Sequence, residues 1–356
     1  MASDHDAVLL VSFGGPEEPG DVIPFMRRVT AGRDTPLERL EEVSGHYHLF
    51  GGRSPINDQN RALKAELEAL LAEEGPRLPV YWGNRAWHPL LPDTLRQMHA
   101  DGIRRALCFV TAAYSSYSGC RQYREELARA RAEIGEHAPM LEKLRVFYNH
   151  PGFIEPQVDF VVDALGALPE RARATADIVF TTHSIPSTMA RHCDYEAQHH
   201  EACRLVMREF PGRNWDLVYN SRSGPESVPW LEPDINDHLE TLAARGATGV
   251  VVVPIGFVSD HMEVIYDLDV EAKATAERLA LPFARAATVG TEERFVRMIR
   301  ELVLEQMEGT SPRALGTSTS AARPCPPDCC LTPRQEERPA VPSASLDGVA
   351  TVPTLP

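Results

Sequence analysis

The chain has 356 residues, of which 43% are apolar and 24% charged; this is globular composition, with room for roughly two domains of about 150 residues each. Lys and Arg total 36 against 51 Asp and Glu, a net charge of −15, which argues against a general nucleic-acid or anionic-membrane surface. The acidic start MASDHD, with an apolar run that ends at Gly14, does not read as a secretory leader. The longest apolar stretch, Val250 to Val258, is interrupted by Pro254 and Gly256, so it reads as a buried strand and not as an integral membrane segment. Seven cysteines, an odd number, without a leader argue against a disulfide framework. A cytoplasmic protein is expected.

In chain order, Ala7 to Phe13 reads as a buried strand closed by a Gly14-Gly15-Pro16 turn. Asn60 to Glu74 carries Leu63, Leu67, Leu70 and Leu71 at helical spacing. Ala106 to Thr111, Ile178 to Thr182, Leu217 to Asn220 and Gly249 to Pro254 are short apolar or β-branched runs, each followed by a polar loop and a helix-like pattern. Alternation of this kind predicts an α/β fold of two similar Rossmann-like, doubly wound domains with parallel sheets, over residues 1–160 and 161–308. HADGIRRALCFVTAAYSSYS in one half weakly echoes AARGATGVVVVPIGFVSDHME in the other. From Gly309 onward nine of the 48 residues are proline and apolar periodicity stops, which predicts a mostly disordered, low-complexity tail over 309–356.

In such sheets ligands sit beyond the carboxyl ends of the strands. The loop after one buried strand reads Thr181-Thr182-His183-Ser184-Ile185-Pro186 and puts an imidazole there, a base or a metal ligand by type; one histidine alone is as well read as a hydrogen-bonded loop residue. After VVVVPIGFVSD, the residues Glu263, Asp267 and Glu271 recur every fourth position. That spacing lines three mutually repelling carboxylates along one helix face, and a π-bulge would straighten the row. Oxygen ligands so arranged suit a hydrated divalent ion, although a solvated acidic face is the ordinary alternative. Tyr114, Tyr117, Tyr123, Trp87, Trp230 and Phe257 cluster near these loops and suit either core packing or a cleft for a flat ligand. The Gly51-Gly52-Arg53-Ser54-Pro55 loop permits close backbone approach. His192-Cys193 and His199-His200-x-x-Cys203 look metal-like by residue type but, on a helix-like stretch, read as coincidence or a surface face. No GxGxxG follows the first strand and no P-loop motif occurs, so dinucleotide and P-loop readings lack support.

The segments SFGGPEEP, GGRSPIN, AAYSSYSGCRQY, FTTHSIP, YNSRSGPESVPWLEP and PIGFVSDHMEVIYDLDVEA, taken together and in order, resemble the ferrochelatase family over about residues 6 to 307. The resemblance implies a chelatase-like fold and a lyase of haem biosynthesis that inserts ferrous iron, its substrate, into a porphyrin held between the two domains. It implies His183 as the active-site histidine, Glu263 as its partner across the porphyrin, and Asp267 and Glu271 as an acidic line on a π-helix. Ser54, Tyr123 and Tyr47 match porphyrin-contacting positions. The sequence departs from some members at Phe13, where they carry an iron-ligating tyrosine, and at Thr30, where they carry an arginine. Arg27, Arg28, Arg33, Arg53 and Arg121 are left as candidates for acidic substituents.

Cys325, Cys329 and Cys330 stand in the Pro-rich tail. By type, four thiols suit zinc or no metal at all. The resemblance implies instead that this trio and Cys120 ligate a 2Fe–2S cluster, as in members with a C-terminal extension. The stretch Thr35 to Phe50, which matches an apolar lip in membrane-associated members, holds Glu38, Arg39, Glu41, Glu42 and His46. With the actinobacterial look of the tail, this favours coproporphyrin III over protoporphyrin IX. A chelatase for another tetrapyrrole and a non-catalytic haem or iron–sulfur carrier are the rival readings, and neighbouring haem-pathway enzymes are the possible protein partners.

Overall fold

A computed structural model describes residues 5–32, 36–224, 227–316, 325–326, 328–331 and 340–343. Arg33, Thr35, Pro225 and most of the tail singled out above lie outside the described residues. Among the described residues eight strands form two four-stranded sheets, every strand pairing parallel. β1 (Ala7–Ser12), β2 (Val80–Asn84), β3 (Arg105–Val110) and β4 (Met140–Lys143) are ordered β2-β1-β3-β4. β5 (Asp177–His183), β6 (Trp215–Asn220), β7 (Val250–Val253) and β8 (Phe283–Arg285) are ordered β6-β5-β7-β8. The second sheet repeats the order of the first.

The central strands are the ones visible as apolar runs. Every residue of β1 and of β7 is buried, because parallel sheets carry helices on both faces and need no polar side. The strands absent from the sequence reading are β2, β4 and β8, all of them short and none buried along its whole length. At a sheet edge the apolar run is diluted, and of the four edge strands β6 alone, with four buried residues in succession, shows one. The predicted Asn60–Glu74 helix starts earlier, at Ile56, directly after Pro55. Ile56, Asn57 and Asn60 add to its buried face before the leucine spacing begins.

The largest apolar cluster runs from one sheet to the other, with Phe109 and Phe147 on one side, Phe180 on the other and Phe153 and Phe295 in contact with it. The helix Glu293–Glu308 reaches back to the first half: Arg297 pairs with Glu74 at 2.6 Å, and Arg300 donates to the Gly75 carbonyl oxygen at 2.6 Å. Gly152 makes that packing close, since a Cβ there would lie 2.5 Å from the Arg294 carbonyl oxygen. The halves thus share one core and one cleft.

Both halves place a π-helix after their third strand, over Tyr117–Arg121 in the first and Asp267–Ala272 in the second. Described pieces of the tail dock on the body. Leu315 exchanges hydrogen bonds with Asn149, and Val341 is 2% exposed and bonded to Arg124. Among the described residues no helix is long and apolar enough to cross a membrane.

Candidate active site

His183 is the last residue of β5 and pairs with Asn220 at the end of β6. Its Nδ1 faces the Asn220 carbonyl oxygen at 3.4 Å; since a carbonyl only accepts, that contact places a ring proton on Nδ1 and leaves Nε2 to face Glu263. Nε2 lies 3.7 Å from Glu263 Oε1, with the two side chains 32% and 40% exposed. The pair is therefore held together in an open cleft, at the switch point between β5 and β7 where a doubly wound sheet receives ligands.

This geometry corrects one expectation. Groups in contact with opposite faces of a porphyrin stand about 7 Å apart, twice a van der Waals contact. His183 and Glu263 are too close for that, so they share one wall of the cleft and do not face each other across a macrocycle.

The acidic row begins in the short helix Met262–Ile265 and continues through the π-helix. His261 caps this segment by accepting the Glu263 N–H on Nδ1 at 3.2 Å, and burial holds its pKa below the usual value. Asp267 is gripped by the Ser221 hydroxyl and by Asn220 Nδ2 at 3.1 Å. Burial, reinforced by the charges of Glu263 and Glu271, pushes its carboxyl up to about 7 against the pull of those donors. Glu271 is exposed at the outer end, hydrogen-bonded to Tyr266, whose ring stacks on His46 at 3.8 Å. The three carboxylates thus run from the histidine to the surface.

Asn220 was not singled out from the sequence, yet it ties the wall together. Its backbone carbonyl faces His183, and its amide donates to the Glu263 carbonyl oxygen at 2.9 Å as well as to Asp267. No type or spacing distinguishes it; only the register of β5 with β6 brings it there.

Residues of the first half come near this pair, since the Tyr47 and Tyr123 hydroxyls feel the Glu263 charge. Phe13, directly after β1, packs edge-on against Phe25, which also meets Tyr47 and Trp87 at centroid distances of 6.0 Å. The Arg85 guanidinium lies 5.1 Å from the Phe13 ring centre and 5.5 Å from that of Tyr123. The Tyr47 hydroxyl feels Glu263 and Asp267, and burial together with their charges raises its pKa. Ser54 is 3% exposed behind Gly15, its N–H bonded to the Pro16 carbonyl oxygen at 2.9 Å.

Several residues that suggested a cleft or a rim belong to the core. Tyr114 is 3% exposed, stacked on His199 at 3.5 Å. His199 and Cys203 are fully buried whereas His192 and His200 are exposed, so the His/Cys group is divided between core and surface. Arg121 is 1% exposed and paired with Glu125 at 2.9 Å, which removes it from the rim candidates. Arg27 and Arg28 are exposed on the helix Val22–Val29, and Arg53 is exposed and paired with Asp58. Arg28 also lines, with Arg85, Arg96 and Arg129, a cavity of about 190 Å³.

Cys120 sits in the first π-helix, and the four thiols hydrogen-bond in series: Cys120 with Cys325, Cys325 with Cys329, and Cys329 with Cys330. Arg124 reaches the Cys329 sulfur at 3.2 Å, and the Cys325 hydrogen bond and burial push the Cys120 thiol well up against the pull of the Lys143 charge. Among the described residues, no three His, Cys, Asp or Glu side chains are grouped as ligands of a single ion.

Two parallel sheets of repeated order, with acid–base groups at the strand ends of one and an aromatic wall from the other, define a chelatase-type fold. The same fold is seen in the sirohydrochlorin chelatase SirB from Bacillus subtilis subspecies spizizenii in complex with cobalt, at TM-score 0.51 and 11% identity, covering 86% of this chain and 96% of that one. The ferrochelatase family model matches residues 5–307. A coproporphyrin III ferrochelatase of Streptomyces coelicolor is 54% identical over 366 residues, covering 96% of this chain and 97% of its own. One of Frankia alni, also named coproporphyrin III ferrochelatase, is 54% identical over 359 residues (97% and 91%), and a ferrochelatase of Rhodopirellula baltica is 50% identical over 337 (93% and 95%). The chain belongs to the ferrochelatase family, lyases that insert ferrous iron into a porphyrin.

Proposed function

We propose that the porphyrin is coproporphyrin III and that the cleft between residues 1–160 and 161–308 is where it is metallated. The observation that carries the catalytic assignment is the His183–Glu263 pair, 3.7 Å apart at the end of β5, close enough to Tyr47 and Tyr123 of the first half for both hydroxyls to feel the Glu263 charge. Insertion releases two pyrrole protons for each Fe2+ taken up. In its neutral form, with the proton on Nδ1 facing the Asn220 carbonyl oxygen, His183 accepts a proton from the macrocycle on Nε2. Glu263 beside it takes the second proton or ligates the incoming ion, and Asp267 and Glu271 lead the hydrated dication inward, replacing its waters by carboxylate oxygens. Tyr47, Tyr123 and Ser54 contact the macrocycle.

The choice of coproporphyrin III is supported by the names of relatives about half identical over nearly the whole chain. It is supported also by a mouth helix, Leu37–His48, whose outer residues include Glu38, Arg39, Glu41 and Glu42. This porphyrin carries two propionates where protoporphyrin IX has vinyls. In a −15 chain it needs local cations, for which Arg27, Arg28, Arg53 and Arg85 are available. A cytoplasmic location and association with neighbouring haem-pathway enzymes follow from the same reading.

The thiols of Cys120, Cys325, Cys329 and Cys330 fit a 2Fe–2S cluster. A binuclear cluster takes two thiolates per iron and does not need three ligands around one point, and Arg124 and Lys143 offset its negative charge. When bound, the cluster supplies a one-electron redox centre.

The test is anaerobic turnover with ferrous iron and either porphyrin, together with the visible spectrum and the iron, sulfide and zinc content of the purified protein. Fast metallation of coproporphyrin III over protoporphyrin IX is expected, with two irons and two sulfides per chain. Equal or better use of protoporphyrin IX overturns the substrate, stoichiometric zinc without sulfide overturns the cluster, and no metallation of either porphyrin leaves a carrier.

A further inference from the structure

Side chains alternate along a strand, so the residue before His183 points away from it, into the core. Thr182 is 0% exposed. Its Oγ1 lies 2.9 Å from His199 Nε2 and 2.7 Å from the Tyr195 hydroxyl. His199 Nδ1 lies 2.7 Å from the Tyr195 carbonyl oxygen. The Tyr195 hydroxyl also reaches the His183 carbonyl oxygen, at 2.9 Å.

The protons in this network have one consistent arrangement. A carbonyl oxygen only accepts, so His199 Nδ1 carries a proton. Burial keeps the ring neutral, its pKa pushed down to about 3, so Nε2 is an acceptor. Thr182 must then spend its only hydroxyl proton on His199. Its oxygen is left to accept, and the single Tyr195 proton bridges Thr182 Oγ1 and the His183 carbonyl oxygen.

The same residues are clamped to the other strand of the site. Tyr114 stacks on the His199 ring, 15° from coplanar, and donates its hydroxyl proton to the Ile255 carbonyl oxygen at 3.1 Å. Ile255 lies between β7 and Glu263. Gly256, next along, donates its N–H to the Thr181 carbonyl oxygen at 3.1 Å, and a Cβ there would lie 2.1 Å from Thr182 Oγ1.

We propose that Thr182, Tyr195 and His199 are positioning residues of the metallation reaction, a hydrogen-bonded network of fixed polarity that holds the His183 main chain against the end of β7 and so sets His183 Nε2 relative to Glu263. The inference rests on the reading of His183 as the proton acceptor. None of the three touches substrate; they act through the placement of one imidazole, to which a reaction between positioned groups is sensitive.

The experiment compares Tyr195→Phe, Thr182→Val, Thr182→Ser and His183→Ala with the parent. It measures kcat, KM for ferrous iron, coproporphyrin Kd by fluorescence quenching, and the thermal midpoint. Tyr195→Phe removes the donor to the His183 carbonyl, and Thr182→Val removes the hydroxyl between the two rings. Both are expected to lower kcat by about 10–100-fold with porphyrin Kd unchanged. Thr182→Ser, which keeps the hydroxyl, recovers most of the rate lost in Thr182→Val. A parent-like kcat in folded Tyr195→Phe and Thr182→Val, whatever their thermal midpoints, overturns the inference, as does a Thr182→Ser no faster than Thr182→Val. Should Tyr195→Phe not fold, the Ser and Val pair at position 182 decides alone. A parent-like kcat in His183→Ala instead overturns the reading of His183 itself.

Discussion

The two halves have the same strand order and the same π-helix after the third strand, yet they carry different chemistry at corresponding places. The segment after β1 presents Phe13, whereas the end of β5 presents His183. The first π-helix carries a buried thiol, Cys120, and the second a row of carboxylates beginning at Asp267. One half thereby contributes aromatic and cationic side chains, and the other an imidazole and a row of carboxylates. The difference teaches that the backbone supplies positions only. What a strand end does is decided by a few side chains placed on it and by the residues that pin them.

The largest effect expected from breaking this division is loss of turnover in His183→Ala, by at least about 100-fold in kcat with porphyrin binding retained. Adding Phe13→His in that background should not restore it, since the imidazole would then lie near the Arg85 cation and away from the carboxylate row. Steady-state kinetics of the single and double variants decide this, and recovery in the double variant would show the walls to be interchangeable.

Asp267→Asn is expected to raise KM for ferrous iron by about 10-fold and leave coproporphyrin Kd unchanged. Titration with iron at saturating porphyrin measures the first, fluorescence quenching the second, and a changed porphyrin Kd would argue against a metal-leading role.

Gly256→Ala should cost about 1–3 kcal/mol of stability, because its Cβ would overlap Thr182 Oγ1 and press on the β5 backbone. Denaturant unfolding reads that loss, and a parent-like midpoint would mean that the strand ends separate easily.

The smallest effect is on stability against pH. His150 and His199 are held neutral by burial, each with its pKa lowered to about 3. The unfolded chain binds protons at these positions below about 6.5, so each opposes folding by up to about 1.4 kcal/mol per pH unit as pH falls from 6.5 toward 3. Asp267, raised to about 7, acts in the opposite sense between 7 and 3.8 and offsets one of them. Urea midpoints at pH 7, 6 and 5 should therefore fall on acidification, and less steeply in His199→Leu.

Legibility in the sequence followed burial. β1, β3, β5 and β7 are apolar because helices cover both faces of the strands, and each reads as a run, as does the buried end of the edge strand β6; the edge strands β2, β4 and β8 are short, incompletely buried and leave no signal. The residues proposed for catalysis stood out because their types carry chemistry: an imidazole at a strand end and carboxylates every fourth residue. Their supports did not. Asn220 and Thr182 are common polar residues, and His199 resembled a surface face until the packing of Tyr114 enclosed it.

Composition and periodicity by themselves pointed to the α/β class, one weak echo to the repeated halves, and the resemblance of six ordered segments to the family and the residues to inspect, since these depend on local pattern and residue type. Tertiary structure alone decided that His183 and Glu263 share one wall, that Arg121 is a core ion pair, and that the four thiols meet. Those facts depend on distances between segments remote in the chain, which are set by strand register and core packing and are written in no single stretch of residues.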